Sequence, residues 1–235
     1  MIIFIHVERT AGSSIHSWFA PGEVPILEGR YFVISAFMPD VMKAAALAPR
    51  PSYLAGHFAL TDLEECGITP ADIRLLFSMT RDPVERAASL YALMRRSPDW
   101  LPHIAPFVGD RDMAYFYDFC RERAFYFPND QCRRISGTPS FEAAKEAIRS
   151  RYTFVGSSDR TDLAAAALRS RLAGTLPGFR AAPVRINDAV RQEMPARLAD
   201  RIAEDNSEDG LLHRFVTDRG GIVFGAGSGG GGMTE

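Results

Sequence analysis

The sequence predicts a three-layer α/β sandwich, in which a central and mainly parallel sheet carries helices on both faces. Three observations lead there. Short β-rich runs, apolar on both faces as buried parallel strands are, alternate with helical patterns. A chain of 235 residues, 46% of them hydrophobic, can bury one sizeable core and is short for two ordinary domains. Residues suited to anion binding also recur just after predicted strands, where open parallel sheets bind ligands.

Taken in order, strands are expected at residues 1–6, 31–37, 53–55, 75–79 and 152–155. Helices are expected at 13–19, 38–47, 82–96, 140–149, 161–172, 195–204 and 207–216. The helix at 82 has the best-specified start: Asp82 can cap it, Pro83 suits its first position, and Glu85 falls at the capping-box spacing. Residues 1–224 form one predicted domain. Residues 225–235, glycine-rich and without side chains to build a core, are expected to be a flexible appendage.

Composition narrows the function. A formal charge of −2, from 27 basic and 29 acidic residues spread along the chain, gives no global field for nucleic acid or anionic lipid, so any anion site is local. Cys66, Cys120 and Cys132 have neither zinc-site nor redox spacing, which predicts buried thiols and no metal site. No basic leader and no long apolar run is visible, so membrane insertion is not expected and a soluble, cytoplasmic protein is.

Three segments carry chemistry. After the first strand comes His6-Val7-Glu8-Arg9-Thr10-Ala11-Gly12-Ser13-Ser14, a turn of small and hydroxyl residues entering a helix. Small residues let a backbone close around an anion, N–H groups at the helix start point at it, and hydroxyls and Arg9 add donors. This makes the sandwich P-loop-like, although the Walker pattern GxxxxGK[ST] is missing. Arg81 ends the strand at 75–79, where its guanidinium can fork onto a phosphate, and Ser89 lies two turns into the capped helix. His57 follows Gly56 after a third strand and can accept a proton near neutral pH. Singly, the loop is as consistent with a capped helix, while Arg81 and Ser89 alone are more often an ion pair and a solvent-facing serine, and a lone histidine is more often structural. Jointly, at three strand ends, they suggest one site.

These residues resemble the PAPS-dependent sulfotransferases, which use 3'-phosphoadenosine 5'-phosphosulfate, in the branch of the heparan and uronyl 2-O-sulfotransferases and their bacterial homologues. The family loop FIHIPKTAGTS is similar to residues 4–14, and its element RDPVERFLSLY is similar to residues 81–91. A GH pair resembles Gly56-His57, an NxQ segment resembles Asn129-Asp130-Gln131, and VGxxxRxD resembles residues 155–162. The resemblance implies that Arg9, Thr10, Ala11, Gly12, Ser13 and Ser14 hold the 5'-phosphosulfate and that Arg81 and Ser89 hold the 3'-phosphate. It implies His57 as the base, with Arg9 supporting charge on the departing phosphate, PAP as product, and no metal. The acceptor implied is a small molecule or oligosaccharide, a sugar hydroxyl by analogy.

Where the family has proline and lysine this chain has Glu8 and Arg9, and arginine does not reproduce lysine's point charge. Glu8 repels an anionic donor unless it faces solvent or pairs with Arg9. Two other readings therefore stand beside the enzyme: a PAPS- or PAP-binding module with little transfer, and a P-loop-like kinase for a small metabolite. Arg95, Arg96, Arg121, Arg123, Arg133 and Arg134 are candidates to line a cleft for an acidic acceptor. The eight aromatic residues within 107–127 either pack a core or stack on a sugar. Asp99, His103 and Asp110 are too dispersed for a metal site.

Overall fold

A computed structural model describes residues 1–20, 30–35, 37–182 and 194–226. The first half of the chain runs β1 (Ile2–Ile5), α1 (Gly12–Phe19), β2 (Tyr31–Ile34), α2 (Pro39–Leu47), β3 (Tyr53–Gly56), α3 (Leu60–Glu65), β4 (Leu75–Thr80) and α4 (Pro83–Arg96). There follow α5 (Ala105–Val108), α6 (Met113–Glu122), α7 (Asp130–Ser136), α8 (Phe141–Ser150), β5 (Phe154–Ser157), α9 (Thr161–Leu172), α10 (Ala196–Asp205), α11 (Ser207–Thr217) and β6 (Ile222–Phe224). The protein is thus α/β, with a six-stranded sheet in the order β2-β3-β1-β4-β5-β6. The first five strands pair in parallel, and β6 closes the edge antiparallel to β5.

Alternation along the strands sorts the core into two layers. Ile3 and Ile5 join Leu54, Leu76 and Val155 on the face covered by α2, α3, α7, α8 and α11. Ile2 and Phe4 join Tyr53, Phe77 and Phe154 on the face covered by α1 and α9. Because both faces are covered, β1, β3, β4 and β5 are buried throughout, which explains their largely apolar character. Where β4 does carry polar residues, their hydroxyls are bonded: Ser78 donates to the Ile5 carbonyl at 2.7 Å and Thr80 to that of Gly156 at 3.3 Å.

A third apolar cluster lies away from the sheet, where α4, α6 and α10 pack Leu90, Met94, Phe116, Tyr117 and Ile202 around Phe127. Four of the eight aromatic residues in 107–127 are therefore core: Phe116, Tyr117, Phe119 and Phe127. The sequence did not announce α3, α6 and α7 or the three-residue β6, which follows a turn with Gly220 and Gly221 at φ 80° and 93°. Of the expected glycine-rich appendage, residues 227–235 lie outside the described residues. Gly225 itself is buried, and a Cβ there would stand 2.0 Å from the Ile148 carbonyl oxygen. Among the described residues no helix is long and apolar enough to cross a membrane, and all three cysteines are buried and free.

Candidate functional site

Parallel register brings the chemistry to one edge of the sheet. Ile5 is in register with Gly56 on one side and Ser78 on the other, so His6, His57 and Arg81 all emerge at carboxyl ends of adjacent strands. Here lies a cleft of about 1090 Å³. Backbone strain concentrates at it: Arg9, Ala11, Ala124 and Tyr126, four of the five described non-glycine residues with left-handed φ, line the cleft.

In the loop from β1 to α1, Arg9 and Ala11 take φ 69° and 74°. The loop is pinned from inside by Thr10, which is fully buried and whose hydroxyl donates to the Val7 carbonyl at 2.7 Å. Thr10 thus shapes the loop, while Arg9, Ala11, Gly12, Ser13 and Ser14 line the cleft. No side chain caps the start of α1. Gly12 is required for a packing reason, since a Cβ there would lie 1.8 Å from Nε2 of His6. Gly56 likewise admits β2, its missing Cβ leaving room for Ile34.

Arg81 and Ser89 reach the same cleft from β4 and α4. Asp82 caps α4 by accepting from the N–H groups of Val84 and Glu85 at 2.9 and 3.0 Å, as the sequence predicts. The carboxylate of Glu85 is 3.5 Å from Nε of Arg81. The strand end is clamped by Gln131, whose amide accepts from the Arg81 N–H at 2.9 Å and donates to its carbonyl at 2.8 Å. Gln131 is held in turn by reciprocal capping: Asp209 accepts from the N–H groups of Gln131 and Cys132, and Asn129 accepts from those of Glu208 and Asp209. The NxQ segment therefore works as scaffold for Arg81.

The two strand ends meet through Arg9. Its Nε donates to the Ser89 hydroxyl at 2.9 Å, and Arg81 donates to the Arg9 carbonyl at 3.3 Å. Burial first, then the charges of Arg81 and Arg96, push the Arg9 guanidinium down to about 10. It stays charged at neutral pH. Two cations brought to one cleft, one of them bonded to a hydroxyl, form a site that an anion would relieve.

His57 stands across the cleft, its side chain 22% exposed, with Nδ1 2.7 Å from Oε1 of Glu8. Glu8, 12% exposed, faces neither solvent nor Arg9, the two alternatives open at the sequence level; it pairs with His57 and with Arg134 at 3.4 Å. Burial acts to protonate Glu8, but His57 and Arg134 outweigh it and hold the carboxyl ionised, well below its ordinary range. Arg134 also binds Asp130 at 3.4 Å and donates to the His57 carbonyl. Glu8 thus engages the imidazole at Nδ1, and when that nitrogen holds the proton it is Nε2 that accepts another.

Sequence reasoning missed the network behind this pair. Arg86 is 0% exposed, lies 3.5 Å from Asp130, stacks on Phe127 and donates to the Tyr126 carbonyl. A signal existed: Arg86 falls on the stripe of Leu90 and Met94, and a charge on an apolar stripe implies a buried partner. The arginine-lined cleft is corrected by the structure. Of the six arginines, only Arg134 lines the cleft; Arg95 pairs with Asp110 at 2.8 Å and Arg121 with Asp205 at 3.1 Å. Asp99 and His103 do line it. Among the described residues no group of three His, Cys, Asp or Glu is placed to hold a metal ion.

Beneath His57 lie two more histidines. Nε2 of His16 is 3.3 Å from Nδ1 of His6, Nδ1 of His16 is 3.3 Å from the Tyr53 hydroxyl, and the His6 and His57 rings are 4.5 Å apart. Burial, with the charge of His57 adding, pushes His16 down to about 4, and His6 is also lowered. The unfolded chain therefore binds protons that the folded chain excludes, and stability falls as pH drops from about 6.5 toward about 4. Urea denaturation across that window is expected to show this fall, shallower in His16→Phe. Equal slopes in the two proteins would show that His16 is not kept neutral.

No protein-family model matches the chain, and none of the curated proteins searched is significantly similar to it.

Proposed function

We propose that this protein is a cytoplasmic, P-loop-like sulfotransferase that moves a sulfonate group from PAPS to an acceptor hydroxyl. The reading is carried by one observation: Arg9 and Arg81, from separate strand ends, share a cleft with Ser89, the uncapped start of α1 and a histidine backed by a carboxylate. The residues present suit a ligand with two separate phosphate groups. Arg81 and Ser89 would take one, and the loop from Arg9 to Ser14 the other.

For transfer, His57 Nε2 takes the proton of the acceptor hydroxyl while that oxygen bonds to sulfur, and the bond from sulfur to the phosphate oxygen breaks. The imidazolium so formed is stabilised by Glu8 at Nδ1. Arg9 and the N–H groups at the start of α1 stabilise the charge left on the departing phosphate. Because Glu8 is engaged by His57 and Arg134, it is turned to the proton-transfer side, which favours an enzyme over a binding module. Single-turnover transfer separates the two.

The donor assignment has a direct test. PAP is expected to raise the melting temperature, with stabilisation of about 2.7 kcal/mol at a hundredfold excess over its dissociation constant, and ATP to do so much less. Arg81→Ala is expected to weaken PAP binding by about 1.5 to 3 kcal/mol, the worth of charge-assisted hydrogen bonds to one phosphate, without loss of fold. Equal shifts from ATP and PAP would overturn the 3'-phosphate site.

A further inference from the structure

Resting on that reading, we infer that the acceptor is a hydroxyl compound without negative charge and with an aromatic or similarly flat apolar face, and not a uronate or other acidic saccharide. Charge comes first. Three arginines line the cleft against six carboxylates: Glu8, Asp62, Glu85, Asp99, Asp130 and Asp159. Arg9 and Arg81 belong to the donor half. The remaining cation, Arg134, is committed to Glu8, Asp130 and the His57 carbonyl. No uncommitted arginine or lysine among the described lining residues is left to meet an acidic acceptor, whereas Asp99 is exposed there with no ion-pair partner among the described residues. An anionic acceptor would lose its hydration beside Asp99 with no cation to receive it, a cost that charge complementarity avoids.

The wall supplies the second argument. Trp100 and Phe37, 71% and 41% exposed, line the cleft together with Phe125 and Tyr126. Tyr126 reaches Nε2 of His103 at 3.0 Å, and His103 packs edge-on against Phe125. Tyr126 is the member of this wall near Glu8, the partner of His57: burial and, next, the charge of Glu8 raise its phenol. Open aromatic faces beside Asp99 suit stacking on a flat apolar group, and suit a cation better than an anion.

The test uses the whole chain, with and without PAP, and three probes: tyramine, 4-ethylphenol and a glucuronate-bearing disaccharide. Binding is read by calorimetry and by tryptophan fluorescence, Trp100 being the exposed one of the two tryptophans. Tyramine and ethylphenol are expected to bind and to change the emission, and the disaccharide to do neither. Trp100→Ala is expected to weaken both phenols about three- to tenfold, and Asp99→Asn to weaken tyramine alone. Tighter binding of the disaccharide, or no binding of either phenol, overturns the inference. If PAP itself does not bind, the sulfotransferase reading fails, while the preference among probes on the PAP-free protein still decides the acceptor class.

Discussion

Replacing His57 with alanine is expected to lower the rate of sulfonate transfer by about two to four orders of magnitude, the usual contribution of a positioned general base. PAP binding should be nearly unchanged, because Arg9, Arg81 and Ser89 hold one another without the imidazole. The variant also leaves Glu8 with Arg134 as its remaining ion-pair partner, so a melting transition like that of the wild type must be shown first. Unchanged turnover in a folded His57→Ala protein would remove the histidine as base. Asp62 and Glu8, which line the same cleft, would then be the candidates.

Arg86→Ala is expected to destabilise the fold by about 3 to 5 kcal/mol, measured by urea denaturation at neutral pH. The residue is wholly enclosed, and its loss leaves Asp130 buried with Arg134 alone, empties the space over Phe127 and frees the Tyr126 carbonyl. The ions form a chain from Arg86 through Asp130, Arg134 and Glu8 to His57. Its disturbance should therefore also loosen the imidazole, and Arg86→Ala should lose transfer rate beyond what its unfolded fraction explains. A loss under about 1 kcal/mol, the range of exposed pairs, would show that the pair is not dry.

The two effects differ in how visible their residues are before folding. The start of α4 is specified within four residues by Asp82, Pro83 and Glu85, and the structure places it there with Asp82 accepting from the N–H groups of Val84 and Glu85. The strands were legible for a similar reason. A strand covered on both faces is mostly apolar, as β1, β3, β4 and β5 are, and the hydroxyls of Ser78 and Thr80 in β4 are bonded internally. The one-turn helices α3 and α5 and the edge strand β6 lack a long period, and tertiary contacts decide them.

The loop residues and Arg81 were also found by local logic, as small residues and a guanidinium at strand ends. That logic put Thr10 among the anion ligands, whereas its hydroxyl is bonded inward to Val7. It offered as candidates five arginines that do not line the cleft. Direction around a helix or loop is set by what packs against it, and the sequence does not carry that information locally.

What the sequence determined by itself is the alternation of strands and helices, the capped helix and the strand-end loops, because hydrophobic periodicity, capping and turn chemistry act over a few residues. What only the tertiary structure decided is the strand order that sets β3 beside β1, and with it the meeting of His57 and Glu8. The ion pairs behind that meeting join Arg86 to Asp130 across 44 residues and Arg134 to Glu8 across 126. Charges so far apart in the chain become partners only when burial removes water from both, and burial is a property of the packed sheet and its helices.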